Sequence, residues 1–259
     1  MAAGFSLEKW YLDCTTEDGD CAIGYHAQLS LGKRAISYSA LLSSISKRIR
    51  NSTTYRQCPA PVLASDSRIT WHAPTLDFNG TWDALCPSYS KILLDTHDGG
   101  IVEWECLMPL AKTTVRLRDN TFVGNGYCER LRLTLPPWKL PIRELRWGRF
   151  TSHEASVVWI EWIGDVPLKI ILYNGAEQVS GSIGDTCIQT SDFTLELTPE
   201  QTLREGYVVH TALRNFPGIK SILPTQARNL FECKWLSKGI LTIGEDVQYG
   251  QAIHEVVRW

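Results

Sequence analysis

Alternation of apolar and polar residues with a period of two runs through much of this 259-residue chain. From Cys21 to Leu31 every second residue is apolar, and from Ile101 to Met108 the apolar residues Val102, Trp104, Cys106 and Met108 alternate with Glu103 and Glu105. This pattern predicts strands with one buried face, because successive side chains of a strand point to opposite sides. Turn signals such as Asp18-Gly19, Asp98-Gly99 and Asn174-Gly175 separate the segments, which is typical of antiparallel barrels or sandwiches.

A faint internal repeat suggests that the chain is duplicated. Leu7–Gly32 and Ser156–Gly175 both contain a Trp-bearing strand, a turn with an acidic residue beside Gly, and a second strand that ends in Gly. We therefore expect an all-β fold of two antiparallel barrels or sandwiches packed side by side, with domains at 1–120 and 121–259. Helical spacing of apolar residues predicts a short helix at Tyr38–Arg50, and a second is expected near Thr198–Arg204.

The bulk composition excludes several classes of partner. A net charge of −2 and a pI near 6.3 give no electrostatic reason to bind nucleic acid. No apolar run is long enough for a transmembrane helix, and the N-terminal residues lack the features of a signal peptide, so we expect a cytoplasmic protein without an integral membrane segment. The eight dispersed cysteines are then expected to be reduced and mostly buried. The ten tryptophans indicate either a binding cavity or aromatic core filler.

The segment Gly124–Trp162 contains the clearest candidate for chemistry. Alternation from Tyr127 puts Glu129 on the same side as Tyr127, Leu131 and Leu133. Burial disfavours the charged carboxylate, so we expect a raised pKa for Glu129 and a role as general acid. Arg149, beside Trp147 on the next strand, is the candidate compensating cation. A purely structural Glu–Arg pair remains the alternative.

Other residues of the chain give weaker signals. Glu161 and Glu255 also occupy apolar registers, and the indoles of Trp147 and Trp159 are expected to line a cavity. Gly124-x-Gly126 precedes a strand rather than a helix, so it predicts a bulge or a tight bend instead of a nucleotide loop. No nucleotide-binding, zinc-protease or serine-hydrolase motif is present and the six histidines are scattered, so neither a cofactor nor a metal is expected.

Two motifs carry a resemblance to a known group of proteins. Gly124-x-Gly126-Tyr127-x-Glu129, followed by Leu145-x-Trp147-Gly148-Arg149, resembles the two-domain lipocalin-like superfamily of the carotenoid 1,2-hydratases, the AttH-like proteins and the fungal decalin-forming Diels–Alderases. The resemblance implies lipocalin-like domains and an acidic residue, matched by Glu129, that lines a cavity and protonates a double bond in the hydratases.

Together these observations predict a cofactor-independent enzyme that acts on a hydrophobic, unsaturated small molecule by cyclisation or cycloaddition, hydration, or double-bond isomerisation. Glu129 would be the general acid and Arg149 would orient it. The predicted substrate-binding residues are Tyr127, Trp147, Trp159, Glu161 and Trp104. A non-enzymatic carrier of lipid or pigment is the main alternative, and a structural or partner-binding protein is a third. The oligomeric state stays open.

Overall fold

A computed structural model of the chain describes residues 4–32, 34–210 and 225–259. The described residues form two antiparallel sheets, one of ten strands and one of nine, so the predicted all-β class is confirmed. The chain divides into two compact units, the first ending at Pro136 and the second beginning at Pro137. None of the helices that the structure describes has the length and the apolar character needed to cross a membrane.

The first unit contains ten strands in the order β4-β3-β2-β1-β10-β9-β7-β6-β5, with β8 also paired to β9. The strands are β1 (Phe5–Thr15), β2 (Cys21–Leu31), β3 (Arg34–Ile45), β4 (Arg48–Thr54), β5 (Val62–Ser65), β6 (Arg68–Ala73), β7 (Phe78–Ala84), β8 (Tyr89–Asp95), β9 (Ile101–Leu117) and β10 (Asn120–Leu133). A short 3-10 turn, Pro74–Leu76, joins β6 to β7.

The core of the first unit lies on one side of this sheet. Side chains from both ends of the strand order meet there, including Leu41 from β3, Leu12 from β1, Trp71 from β6 and Cys128 from β10. Gly24 makes room for the Trp71 indole, because a Cβ at this glycine would lie 2.4 Å from the ring. We call this side of the sheet the core side.

The boundary between the units differs from the predicted boundary at residue 120. Asp119 lies in the hairpin turn that joins β9 to β10, and β10 pairs with both β9 and β1. A polar turn between two strands of one sheet therefore resembled a linker in the sequence.

The described residues of the second unit form nine strands in the order β14-β13-β12-β11-β19-β18-β17-β16-β15. The strands are β11 (Ile142–Thr151), β12 (Ser156–Gly164), β13 (Leu168–Tyr173), β14 (Ala176–Glu177), β15 (Ser182–Ile183), β16 (Cys187–Gln189), β17 (Thr194–Tyr207), β18 (Phe231–Ile243) and β19 (Asp246–Arg258). Its core cluster includes Phe150, Trp159, Leu195, Leu241 and Ala252.

The two units share one strand order. In each unit the first strand pairs with the second strand and with the last, so β1, β2 and β10 correspond to β11, β12 and β19. This correspondence agrees with the duplication that the sequence suggested. The two segments that the sequence analysis matched are out of step by one strand, however. Leu7–Gly32 covers β1 and β2, which correspond to β11 and β12, whereas Ser156–Gly175 covers β12 and β13.

The segment Tyr38–Arg50, predicted to be a helix, forms the β3–β4 hairpin instead. The adjacent residues Leu41 and Leu42 are only 3% and 1% exposed, although neighbouring side chains of a strand point to opposite sides. This strand is therefore buried on both faces, and its consecutive leucines imitate helical spacing. Ser46 and Lys47 make the turn with positive φ angles of 49° and 63°, as a tight hairpin requires.

The second predicted helix, Thr198–Arg204, lies within β17. The pairing of β17 with β18 shifts register after Pro199, and such an irregularity breaks the simple alternation that identifies a strand. The helical segments that the structure describes are the turn Thr225–Arg228 and the 3-10 turns Pro74–Leu76 and Pro137–Lys139.

Candidate functional site

Glu129 lies on the side of the first sheet opposite the core side. Its register partners are Tyr11 on β1 and Cys106 on β9, and side chains directly opposite one another share a face. We call this surface of β1, β2, β9 and β10 the tyrosine face. It carries Tyr11, Asp13, Tyr25, Trp104, Cys106, Tyr127 and Glu129.

Two buried donors hold the carboxyl group of Glu129 by one oxygen. The indole Nε1–H of Trp104 donates to Glu129 Oε2 at 2.7 Å, and the Tyr127 hydroxyl donates to the same oxygen at 2.8 Å. Trp104 is 1% exposed and Tyr127 is fully buried, while Glu129 is half-buried. The bond between Tyr127 and Glu129 confirms the predicted alternation. Because both donors point at Oε2, a proton on this carboxyl group belongs on Oε1.

The titratable neighbours of Glu129 stay protonated near neutral pH. Complete burial raises the pKa of Tyr127 well above its ordinary value, and the nearby Cys106 and Glu129 raise it further. Burial likewise raises the pKa of the Cys106 thiol well above its usual value. Tyr127 is therefore a hydrogen-bond donor rather than a phenolate, and Cys106 lacks the thiolate character of a nucleophile.

Asp13 is a second carboxylate on the tyrosine face, and the sequence analysis missed it. It is fully buried and pairs in register with Tyr127, two residues from the Tyr11–Glu129 pair. Diagonal neighbours on one face of an antiparallel pair lie roughly 7–8 Å apart, so register makes Asp13 and Glu129 close neighbours on this face. The position of Asp13 two residues after Tyr11, on the same side of β1, was a signal that could have identified it.

Three tyrosines extend the aromatic part of this face. The Tyr11 ring packs edge-on against Tyr25 and against Tyr127, with centroid separations of 5.4 Å and 6.0 Å. Tyr89 lies 5.9 Å from the Trp104 ring. The carboxyl group of Glu129 therefore lies among aromatic rings, while the predicted aromatic-lined cavity stays a prediction.

The alternation of β9 predicted that Met108 shares a face with Trp104 and Cys106. In the structure it lies on the opposite face. It pairs with Cys128 and belongs to the core cluster. The register between β9 and β10 shifts on both sides of Cys128, so extra residues in β9 turn Met108 to the other side. Alternation alone cannot reveal such a bulge.

Arg149 and Trp147 lie on β11, in the second unit. The Arg149 guanidinium is fully buried, and its Nη1 donates to Thr151 Oγ1 and to the Gln251 carbonyl oxygen, each at 3.1 Å. Trp147 lies beneath the Lys234 ammonium, which is 5.2 Å from the ring centroid. The predicted action of Arg149 on Glu129 stays a prediction.

Trp159 and Glu161 are the remaining predicted site residues. Trp159 is 3% exposed and belongs to the core cluster of the second unit. Glu161 lies 3.7 Å from the Lys169 ammonium. Glu255, the third carboxylate in an apolar register, pairs with the buried Lys234. Ligand-binding roles for Trp159 and Glu161 stay predictions, while the charges of Glu161 and Glu255 have cationic partners.

A cavity that the described residues form lies elsewhere in the first unit. It has a volume of about 420 Å³ and is lined by Ile45, Ser46, Arg48, Arg50 and Asn120. Its lining contains no carboxylate, so the tyrosine face remains the candidate for acid–base chemistry. Within the described ranges, no three His, Cys, Asp or Glu side chains converge as metal ligands would.

Comparisons with known proteins reveal relatives in fold. No family model matches the sequence, and no curated protein sequence matches it either. The structure is similar to CghA solved with Sch210972, with a TM-score of 0.57 and 10% identity over 98% of this chain and 88% of that chain. It is also similar to kievitone hydratase from Nectria haematococca, with a TM-score of 0.53 and 11% identity over 99% of this chain and 89% of that chain.

A third similar structure is an AttH-like protein from Nitrosomonas europaea. Its TM-score is 0.55, and the 10% identity covers 97% of this chain and 92% of that chain. Identities this low demonstrate a shared fold and no more. The fold expected from the resemblance of the Gly124–Glu129 and Leu145–Arg149 motifs is thereby confirmed.

Proposed function

We propose that this chain is an enzyme that acts on a hydrophobic, unsaturated small molecule at the tyrosine face, without a cofactor. The observation that carries the proposal is the fixed carboxyl group of Glu129. Two buried donors occupy Oε2, so Oε1 is the oxygen that delivers a proton. A carboxyl group fixed among aromatic rings has, in its protonated form, the components of a general acid for carbon chemistry.

The chemical step follows from this geometry. Glu129 Oε1–H transfers its proton to one carbon of a double bond, and the π electrons form the new C–H bond. The other carbon becomes a carbocation, and the faces of the neighbouring aromatic rings attract its charge. Loss of a proton from the adjacent carbon then gives an isomer. Attack by a second double bond closes a ring and leaves a new carbocation, which loses a proton, and attack by water gives an oxonium ion, which loses a proton to become an alcohol.

A second carboxylate supplies the base that each of these outcomes requires. Each outcome releases a proton, and Asp13 lies on the same face as Glu129; hydration is the outcome that a similar structure favours. Kievitone hydratase, which shares the fold, is a hydratase by name; this support is an analogy of fold. Glu129 would then act as the acid and Asp13 as the base.

A solvent-label experiment tests the proposal. Farnesol, geranylgeraniol and retinol are incubated with the protein in heavy water, and products are examined for carbon-bound deuterium by mass spectrometry. We expect the wild type to label at least one of them and Glu129→Gln to lower the turnover by roughly 10²–10⁴-fold. Full turnover in Glu129→Gln would contradict the assignment of the acid.

Two controls separate the enzyme from the alternatives. Glu103→Gln alters a carboxylate on the core side of β9 that binds Arg132, and it should leave turnover unchanged. Quenching of tryptophan fluorescence reports binding independently of turnover. Tight binding of these compounds by both the wild type and Glu129→Gln, without deuterium incorporation in either, would favour the carrier.

A further inference from the structure

A basic groove lies at one end of the first unit, apart from the tyrosine face. Its volume is about 420 Å³, within the range of roughly 300–1,000 Å³ that is usual for small-molecule sites. The lining residues belong to the β3–β4 hairpin and to the start of β10. We call it the arginine groove; it is lined by Ile45, Ser46, Arg48, Arg50 and Asn120.

One apolar side chain, Ile45, lines the arginine groove and connects it to the core. A smaller recess of about 20 Å³ adjoins it, bordered by Leu41 and Leu117 among other residues. Both leucines belong to the core cluster of the first unit, and Ile45 packs against that cluster. A ligand in the groove would therefore meet aliphatic side chains at its inner end.

The rim of the groove is cationic because of strand register. Arg48 pairs with Ile45 and Arg50 pairs with Ser43, so both arginines leave β4 on the side of Ile45, which is the core side. The tight turn at Ser46 and Lys47 places Arg48 directly opposite Ile45. Arg118 adds a third guanidinium at the recess.

These three arginines differ from Arg68, Arg130 and Arg132 of the same unit, which have carboxylate partners. Arg68 pairs with Asp83, and Arg130 and Arg132 pair with glutamates. In the described part of the chain, no carboxylate lies within ion-pair distance of Arg48, Arg50 or Arg118. The nearby Asp20 carboxylate instead accepts the Ser46 amide at 2.7 Å.

We propose that the arginine groove binds an amphiphilic carboxylate, a molecule with one anionic head and an aliphatic body. The head would pair with Arg48 and Arg50, because guanidinium groups match carboxylates in charge and in planar geometry. The body would lie against Ile45 and point to the recess between Leu41 and Leu117. A solvated surface of arginines would lack these apolar side chains, and an apolar pocket would lack the cations.

Calorimetric titration with dodecanoate and with dodecanol tests the site. We expect dodecanoate to bind the wild type at least about tenfold more tightly than dodecanol, because only the anion gains charge-assisted hydrogen bonds. Arg48→Gln/Arg50→Gln should weaken dodecanoate by about tenfold or more and leave dodecanol unchanged. Unfolding curves in urea confirm that this variant is folded, since both side chains are exposed.

Matched variants identify where the ligand binds. Arg68→Gln removes a guanidinium on β6 of the same unit that already pairs with Asp83, and it should bind dodecanoate as the wild type does. Glu129→Gln should also bind dodecanoate normally, which separates this site from the tyrosine face. Equal affinity for dodecanoate and dodecanol, unchanged affinity in the double arginine variant, or equally tight binding of acetate would overturn the proposal.

Discussion

Glu129 on β10 and Glu255 on β19 occupy equivalent positions in two sheets of the same strand order. Glu129 pairs with Tyr11 of the first strand and Cys106 of the strand before the last. Glu255 pairs with Trp147 and Lys234 on the corresponding strands. One position therefore holds a carboxyl group that accepts hydrogen bonds from two neutral donors, and the other holds an ion pair. We infer acid–base chemistry at Glu129 and a structural role at Glu255.

Lys234→Met should strongly destabilise the protein. The Lys234 side chain is 2% exposed and pairs with Glu255, and removing one partner of a buried ion pair costs about 3–5 kcal/mol because the other charge is left behind. Urea unfolding measures the change in the free energy of unfolding. Lys238→Met, on the same strand but 65% exposed, should change it by less than about 1 kcal/mol.

Removing both charges distinguishes a structural ion pair from a functional one. Lys234→Met/Glu255→Leu should recover most of the stability that Lys234→Met loses, since an apolar pair of similar volume replaces the buried charges. If the double variant is folded yet has lost turnover on a substrate that the wild type converts, the structural assignment of Glu255 is wrong.

Tyr127→Phe should lower turnover without abolishing it. The variant removes one of the two donors to Glu129 Oε2, and one hydrogen bond to a charged or reacting group contributes about 1.5–3 kcal/mol, which corresponds to roughly 10–200-fold in rate. The measurement is the rate of deuterium incorporation with a substrate that the wild type converts. Tyr173→Phe, whose ring packs against Phe193 in the second unit, serves as the control and should retain the wild-type rate.

The stability of the protein should fall as the pH drops from about 6.5 to about 4. Burial, together with the positive charge of Lys234, lowers the pKa of His254 from 6.5 to about 4, while Glu255 opposes the shift. Below pH 6.5 the unfolded chain therefore binds a proton that the folded chain does not, which costs up to about 3 kcal/mol at the lower limit. The lowered pKa of His26, also due to burial, acts in the same direction.

His254→Gln isolates the contribution of this histidine. The Nε2 atom of His254 is 2.8 Å from Ser237 Oγ, and glutamine retains a hydrogen-bonding group that does not titrate. The free energy of unfolding of the variant should depend less on pH than that of the wild type between pH 6.5 and 4.5. If the free energies of unfolding of the variant and the wild type differ by the same amount at every pH in this range, His254 is not the source of the pH dependence.

Gly126→Ala should destabilise the first unit by about 1–3 kcal/mol through overpacking. A Cβ at this position would lie 2.3 Å from Thr113 Oγ1 and 2.4 Å from the Asp13 carbonyl oxygen. The backbone of β1 must then move, which shifts Asp13 relative to Tyr127 and should also lower turnover. Gly4→Ala, where a Cβ meets nothing within 4 Å, is the control, and its unfolding curve should match that of the wild type.

Alternation predicted the all-β class and the common side of Tyr127 and Glu129, because the period of a strand is a local property of the backbone. The prediction from alternation was wrong at Met108, because a bulge turns this side chain to the opposite face of the sheet. It was also wrong at Tyr38–Arg50, because burial of both faces removes the alternation of apolar and polar residues. The Gly124-x-Gly126 motif was predicted to mark a bulge or a tight bend, and the β10–β9 register shifts between Gly126 and Cys128. The structure adds a close approach of backbones, since a Cβ at Gly124 would lie 2.1 Å from the Thr15 carbonyl oxygen.

The sequence by itself determined the all-β class and the presence of a carboxylate in an apolar register, and it suggested the duplication, since these depend on residues that are neighbours along the chain. Only the tertiary structure decided that Trp104 and Tyr127 hold the same oxygen of Glu129, and that Asp13 lies beside them. These contacts join β1, β9 and β10, which are far apart in sequence, through a register that hydrogen bonding between strands selects. The partner of each buried charge was likewise decided by which strand lies next to it.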